Sequence, residues 1–292
     1  MGGITRGLGA LGVAVALLLG AGCSGDSSPD RAEPSSPVPL PSHTEAETGP
    51  ERVRVSTVQA REVAGRFGGG TVYRPERMSP RPAVIAASPG LGADRSTVTW
   101  YGHLLASHGF VLIAIDTLTL EDSPDRRAEQ LLNALDYLTR DGPLAGRVNA
   151  DRQAVLGHSM GGGAALVAAS RRPSIRAVVS LTPWYESPRG WPGVRAPTLV
   201  VAGSTDQIAP PSEYAKPFYQ GLDNARERAY LSLDGDHLVG NYPRKYLGSQ
   251  VLAWFGRFLD GDVRYDRRLC PPPPERGAVV EYRDSCPHPR SG

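Results

Sequence analysis

The sequence contains no block of lysine and arginine residues, although 32 of its 292 residues are basic and its net charge is +2. A nucleic-acid-binding groove needs a concentrated basic patch, so this class of function is excluded and no nucleic-acid partner is expected. The sequence also lacks an internal repeat and an apolar run long enough to span a bilayer comfortably. With 40% hydrophobic and 21% charged residues, it predicts one globular domain joined to a proline-rich segment.

Cysteine is scarce, with three residues at Cys23, Cys270 and Cys286. No set of further cysteine or histidine ligands accompanies them, so neither a metal site nor a cofactor is predicted. The position of Cys23, apart from the other two, ties it to the N-terminal segment.

The first 22 residues have the features of an export signal. Arg6 supplies a positive charge, and Leu8–Leu19 is an apolar segment too short for a membrane span. Small residues directly before Cys23 resemble a bacterial lipoprotein signal, in which the cysteine is lipidated. The alternative is an ordinary secretory signal with an incidental Cys23. We expect an exported protein, either held at the outer face of the cell membrane through that lipid alone or secreted.

Residues 23–51 are rich in Ser, Pro, Glu and Thr and have almost no large apolar side chains. Such a segment buries too little surface to offset the entropy lost on ordering, so a disordered tether is predicted. Residues 52–292 are predicted to form the folded domain and are ample for a single hydrophobic core. A monomer is expected.

Short apolar runs alternate with helical patterns along this domain. Val53, Val55, Val58 and Tyr73 predict two opening strands around the Gly68–Gly70 turn. The strands predicted after them are Ala83–Ala87, Phe110–Ile115, Gln153–Leu156, Ala177–Leu181, Thr198–Ala202 and Ala229–Leu233. The predicted helices are Thr97–Ser107, Arg126–Arg140, Gly163–Ala169 and Tyr246–Leu259. Because the strands are apolar on both faces, an α/β fold is expected, with a mostly parallel sheet flanked by helices on both faces. Trp100 and Trp254 are assigned to its core.

A Gly-x-Ser-x-Gly motif, Gly157–Gly161, stands between the Gln153–Leu156 strand and the Gly163–Ala169 helix. At such a junction Ser159 lies at the apex of a sharp turn with its hydroxyl exposed, and the glycines avoid collisions that a Cβ would cause. The N-terminal N–H groups of the helix face any negative charge that forms beside the serine. Ser159 is therefore predicted to be a catalytic nucleophile.

A serine hydroxyl needs a base, and in this arrangement the acid and the histidine follow the serine along the chain. Of the six histidines, two lie in the terminal segments and two precede the serine within a helix–strand unit. His158 adjoins Ser159 on the incoming strand, so its side chain should point away from the hydroxyl. His237, after the Ala229–Leu233 strand, is therefore predicted to be the base.

For the acid, Asp206 directly follows the Thr198–Ala202 strand, at the carboxyl edge where the functional loops of such a sheet lie. Asp234 and Asp236 compete because they neighbour His237 in sequence. Residues so close along the chain rarely bring a carboxylate to the Nδ1 atom of their neighbour, so Asp206 is preferred.

The oxyanion formed by attack on an ester carbonyl needs two N–H donors. Met160, the residue after the nucleophile, supplies one from its backbone. The loop after the Ala83–Ala87 strand should supply the other, which we assign to the backbone N–H of Leu91.

Seven stretches carry a resemblance to known proteins. They are Ser88–Gly90, Leu105–Val111, Ile115–Thr117, Gly157–Gly163, Leu181–Trp184, Asp206–Pro210 and Glu281–Pro287. These stretches resemble the bacterial cutinases and polyester (PET) hydrolases, which have the α/β-hydrolase fold. The resemblance implies the same triad, a substrate groove lined by Trp184 and Ile208, and a disulfide between Cys270 and Cys286.

Two departures from this family affect the substrate groove and leave the triad intact. Leu91 stands where the family usually has an aromatic residue, which keeps the N–H donor but removes one wall of an aromatic clamp. The loop that carries His237 is one residue shorter than is common, and it has Leu238 in place of a phenylalanine.

The leading hypothesis is a serine esterase of the cutinase type, which cleaves cutin-like or synthetic polyesters and short acyl esters through an acyl-enzyme. The segment Pro183–Ala196 contains no long amphipathic insertion, so no lid is expected over the groove. A carboxylesterase or lipase that acts on small or glyceride esters is the close alternative. A non-catalytic lipoprotein that binds a ligand is the alternative from another class.

Overall fold

The computed structural model describes residues 48–186, 190–270 and 277–286. The predicted signal peptide, Cys23 and the tether as far as residue 47 lie outside the described residues. None of the described helices is long and apolar enough to cross a bilayer.

The described residues form one nine-stranded sheet with helices packed on it. The strands are β1 (Val53–Val58), β2 (Gly70–Pro75), β3 (Val84–Ser88), β4 (Val111–Ile115), β5 (Gln153–His158), β6 (Ala177–Leu181), β7 (Thr198–Gly203), β8 (Arg228–Leu233) and β9 (Val279–Asp284). The α-helices are α1 (Thr99–Ser107), α2 (Pro124–Asp136), α3 (Met160–Arg171), α4 (Ala215–Gln220), α5 (Lys245–Leu259) and α6 (Asp266–Leu269). A π turn at Tyr137–Asp141 extends α2.

The strand order is β1-β2-β4-β3-β5-β6-β7-β8-β9. Strands β3 to β8 run parallel, whereas β1, β2 and β9 pair antiparallel at the two edges. This confirms the predicted α/β-hydrolase fold with its mostly parallel sheet. The chain leaves β3 toward β4 and later returns on its other side as β5, so a crevice opens beyond the carboxyl ends of β3 and β5.

Two hydrophobic cores lie on the two faces of this sheet. Helices α2, α3 and α4 cover one face, where Leu135 and Leu166 are fully buried. Helices α1 and α5 cover the other, where Leu105 and Trp254 are fully buried. Because both faces are covered, the central strands contact no water and their ends alone carry exposed loops.

Several elements differ from the sequence prediction. Helices α4 and α6 were not predicted, and neither was strand β9, whose sequence Val-Val-Glu-Tyr-Arg-Asp has neither a regular apolar alternation nor a continuous apolar run. Helix α2 begins at Pro124, before the predicted Arg126, since Ser123 caps it by accepting a hydrogen bond from the Arg126 N–H at 3.4 Å.

The predicted disulfide between Cys270 and Cys286 is present, with the two Cα atoms 5.6 Å apart. Cys270 directly follows α6, and Cys286 follows β9. The bond therefore ties the edge strand of the sheet to the helical segment that precedes it.

Replacing both cysteines in a Cys270→Ser/Cys286→Ser variant should lower stability by about 3 kcal/mol, because the unfolded chain gains the freedom of a loop of this length. For a domain of this size, the melting temperature should fall by about 6–12 °C. Calorimetry of the variant, and of the wild type with reductant, checks this. A variant that melts with the oxidised wild type would contradict it.

Candidate active site

Ser159 connects β5 to α3, and its backbone has φ 55° and ψ −120°. Residues with a side chain rarely adopt this conformation. A non-glycine residue in such a conformation costs roughly 1–3 kcal/mol, so its surroundings must hold it there. Its N–H donates to the carbonyl of Leu181 at 2.9 Å, and its own carbonyl accepts from the N–H groups of Gly163 and Trp184 at 3.0 Å. The strained turn is thus fixed from both sides.

Glycines allow the loops around Ser159 to approach closely. A Cβ on Gly157 would collide with the carbonyl of Gly161, and one on Gly161 would collide with the carbonyl of Ser88. A Cβ on Gly90 would lie 2.9 Å from the Cβ of Ser159. The motif and the loop after β3 therefore need glycine to bring their backbones together at the crevice.

Asp206 and His237 form a buried hydrogen bond, with 2.7 Å between Oδ2 and Nδ1. Asp206 lies after β7 and His237 after β8, and their exposed fractions are only 2% and 5%. Burial raises the pKa of Asp206, but hydrogen bonds from His237, Ala209 and Ile208 outweigh it and hold that pKa below its ordinary value. An ionised carboxylate only accepts, so Nδ1 carries the proton and Nε2 is left as a base.

The competing carboxylates do not contact the histidine ring. Asp236 accepts a hydrogen bond from the backbone N–H of Leu238 at 2.9 Å, and its side chain is exposed. Asp234 is also exposed. The structure therefore brings Asp206, from a different loop, to the Nδ1 atom of His237.

Two buried side chains hold the backbone of His237 in place. Its carbonyl accepts a hydrogen bond from the hydroxyl of Thr182 and another from Nε2 of His158, each at 2.9 Å. His158 therefore bonds the loop that carries His237, and its ring lies 4.9 Å from the His237 ring in the cavity that Ser159 also lines. Sequence reasoning did not identify Thr182, because it lies 55 residues from His237 and only the sheet brings them together.

A second pair of donors fixes the far end of the same loop. The carbonyl of Gly240 accepts from the indole N–H of Trp100 at 3.0 Å and from the hydroxyl of Tyr101 at 2.8 Å. Trp100 packs against the hydrophobic core, as predicted, but its half-buried ring also lines the cavity beside Ser159. Its amphipathic indole can do both because one edge bonds the loop while the face contacts the cavity.

Ser159 and His237 both line a cavity of about 820 Å³ at the carboxyl edge of the sheet. The predicted groove residues Leu91, Trp184 and Ile208 also line it, and Leu91 and Ile208 are 57% and 65% exposed. The ring of Trp184 stacks on Tyr214, with their centroids 6.3 Å apart. Further apolar wall that sequence reasoning missed comes from the exposed side chain of Tyr242.

The backbone N–H groups of Leu91 and Met160 are open to a ligand. Both residues line the cavity, and neither N–H donates to an acceptor among the residues that the structure describes. Met160 is the first residue of α3, where the helix has unsatisfied N–H groups and positive electrostatic potential. This is the environment that a developing negative charge requires.

The described part of the segment between β6 and β7 contains no helix that could cover this cavity. Residues 187–189 lie outside the described residues. The groove is therefore open to solvent along the part of its rim formed by Leu91 and Ile208.

A doubly covered parallel sheet, with a serine elbow and a buried Asp–His pair at its carboxyl edge, defines the α/β-hydrolase class. Over residues 27–287 the chain matches the PETase family, described as PET hydrolase-like. The chain belongs to this family and is a carboxylic ester hydrolase.

Relatives of known name agree with this membership. A bis(hydroxyethyl) terephthalate hydrolase of Streptomyces coelicolor is 42% identical over 291 residues, which cover 98% of this chain and 93% of the relative. Cutinase 2 of Thermobifida cellulosilytica is 45% identical over 256 residues, covering 86% and 97%. A cutinase of Thermobifida fusca is 43% identical over 256 residues, covering 86% and 84%.

Burial of His158 generates a pH dependence of stability, because desolvation lowers its pKa from 6.5 to about 4. Between these values the unfolded chain binds a proton that the folded chain excludes, so stability falls as the pH falls. About 3 kcal/mol should be lost between pH 7.5 and pH 4. Urea unfolding of the wild type and of His158→Gln, whose amide retains a donor, measures this difference. Equal losses in both proteins would contradict it.

Proposed function

We propose that Ser159, His237 and Asp206 form the catalytic triad of a serine esterase of the cutinase type. The observation that carries this proposal is the 2.7 Å hydrogen bond between Asp206 and His237, because His237 lines the same cavity as Ser159. The bond fixes the tautomer in which Nε2 of His237 accepts a proton.

The reaction begins when the Ser159 hydroxyl attacks the ester carbonyl carbon while Nε2 of His237 takes its proton. The electron pair of the C=O bond moves onto oxygen, and the N–H groups of Leu91 and Met160 stabilise that charge. Collapse of this intermediate breaks the C–O bond to the alcohol, which leaves with the proton from His237. The carboxylate of Asp206 stabilises the imidazolium while it exists.

Water completes the cycle by clearing the acyl-enzyme. His237, now neutral, takes a proton from a water molecule as its oxygen attacks the acyl carbon. The second intermediate collapses, the Ser159 oxygen leaves with that proton, and a carboxylic acid is released. Both halves use the same base and the same N–H donors, so one arrangement serves both steps.

The proposed substrates are polyesters and short acyl esters. An open groove with exposed Leu91 and Ile208 can admit a segment of a long chain, whereas a buried tunnel would need a free chain end. The names of the relatives, cutinases and a terephthalate ester hydrolase, support this substrate class. Small or glyceride esters are the second candidate, favoured by the absence of an aromatic ring at Leu91.

We also propose export of the chain, with a lipid on Cys23 as its attachment to the membrane. The apolar N-terminal segment and the small residues before that cysteine support this location.

Ser159→Ala and His237→Ala should each lower kcat on p-nitrophenyl butyrate by at least about 10³-fold, because each removes a group that acts in the covalent steps. Steady-state kinetics of the purified variants, with circular dichroism as the folding control, checks this. Near-normal kcat in either variant would remove that residue from the triad.

Leu91→Tyr should raise hydrolysis of an aromatic polyester film relative to p-nitrophenyl butyrate. The substitution adds a ring at an exposed position of the groove and retains the backbone N–H. Product release from the film, divided by the rate on the soluble ester, measures the effect, and Leu91→Met is the matched control without a ring. An unchanged ratio in the tyrosine variant would contradict the account of this wall.

A further inference from the structure

A second groove, of about 1190 Å³, lies at the amino edge of the sheet, opposite to the active site. It is lined by the segments that enter β5, β6, β7 and β8 and by the C-terminal ends of α3 and α5. Seven of its 20 lining residues are arginines, whereas the whole chain has 30 arginines among 292 residues. Three carboxylates line the same groove, so positive charge is in excess there.

Four of these arginines have a structural explanation. They form the ion pairs Arg172–Asp136 (2.8 Å), Arg140–Asp136 (3.7 Å), Arg152–Asp260 (2.7 Å) and Arg257–Asp266 (2.6 Å). Three of the four, Arg140, Arg172 and Arg257, also stand at or near the end of a helix, where a positive charge is favourable. These side chains stabilise the fold and need no ligand.

The remaining three, Arg176, Arg195 and Arg226, are exposed and form no ion pair with any residue in the described ranges. Arg176 directly precedes β6, and the other two lie just before β7 and β8. The backbone N–H of Arg226 donates to the carbonyl of Arg195 at 3.0 Å. Strands β6, β7 and β8 are neighbours in the sheet, and neighbouring strands lie about 4.8 Å apart. The three unpaired arginines therefore lie on adjacent segments of one groove.

The groove holds further unused donors. Arg176 uses its Nε to bond the carbonyl of Asp151 at 2.9 Å, which leaves the two terminal nitrogens of its guanidinium unused. The Nε atom of Arg152 is buried and has no hydrogen-bond partner among the described residues. Of these two groups, the exposed terminal nitrogens of Arg176 can donate to the oxygen atoms of a ligand in the groove.

We propose that this groove binds phosphate groups, supplied either by inorganic phosphate or by the headgroup of an anionic phospholipid. Guanidinium forks match the oxygen atoms of phosphate in pairs, and a concave surface concentrates the positive potential. Ester hydrolysis does not use this edge, so the site is separate from the proposed triad. A phosphate-bearing surface held here leaves the active edge facing away from it.

The test compares an Arg176→Gln/Arg195→Gln/Arg226→Gln variant with an Arg61→Gln/Arg77→Gln/Arg126→Gln control. Both triple variants change the net charge equally, and the control arginines are exposed residues outside the groove. Cosedimentation with phosphatidylglycerol and phosphatidylcholine vesicles tests the lipid source, and calorimetric titration with inorganic phosphate tests the free anion. Hydrolysis of p-nitrophenyl butyrate by both variants confirms that they are folded.

The wild type and the control variant should bind phosphatidylglycerol vesicles more tightly than phosphatidylcholine vesicles, or should bind inorganic phosphate. At low salt, the affinity of the groove variant for the same ligand should be about 100-fold lower. Selective vesicle binding identifies the lipid headgroup as the source, whereas binding of inorganic phosphate alone identifies the free anion. Failure of the wild type in both arms, or equal affinity of the two triple variants, would overturn the proposal. Neither outcome depends on the triad.

Discussion

The hydrogen bond between the carboxylate of Asp206 and Nδ1 of His237 is the interaction on which the proposed chemistry depends. It joins the loops that follow two neighbouring parallel strands, β7 and β8. The last residues of these strands pair with each other, so the two loops begin side by side. Its burial would be unfavourable for an isolated carboxylate, but two backbone N–H groups also bond Asp206. The remaining features of the site keep this pair in position against the serine.

The sheet fixes the relative positions of the loops that carry the proposed catalytic residues. The crevice lies beyond the carboxyl ends of the neighbouring strands β3 and β5, so it receives Leu91 from the loop after β3 and Ser159 from the turn after β5. Both cores then hold the strands rigidly, which allows Ser159 to keep a strained backbone. In the loop after β8, Val239 packs in the core, and donors from β5, from Thr182 directly after β6 and from α1 bond the carbonyls of His237 and Gly240.

Sequence reasoning predicted the parts of this arrangement that local pattern encodes. Apolar runs predicted the six parallel strands, and the Gly-x-Ser-x-Gly motif placed Ser159 at a turn whose tight contacts explain its glycines. Strand β9 escaped prediction because an edge strand is only half-buried. Thr182 and Trp100 escaped because their hydrogen bonds span 55 and 140 residues of sequence, and no local signal marks such a contact. The basic groove could not be predicted for the same reason, because its arginines are far apart in the sequence and only the fold brings them together.

The most direct test of the site is a crystal structure of the enzyme after inactivation by a p-nitrophenyl phosphonate. The account predicts a phosphorus bonded to Oγ of Ser159, with the phosphoryl oxygen about 2.7–3.1 Å from the N–H groups of both Leu91 and Met160. His237 should stay bonded to Asp206, with its Nε2 facing the serine oxygen. An adduct on another residue, or a phosphoryl oxygen that points away from both N–H groups, would contradict it.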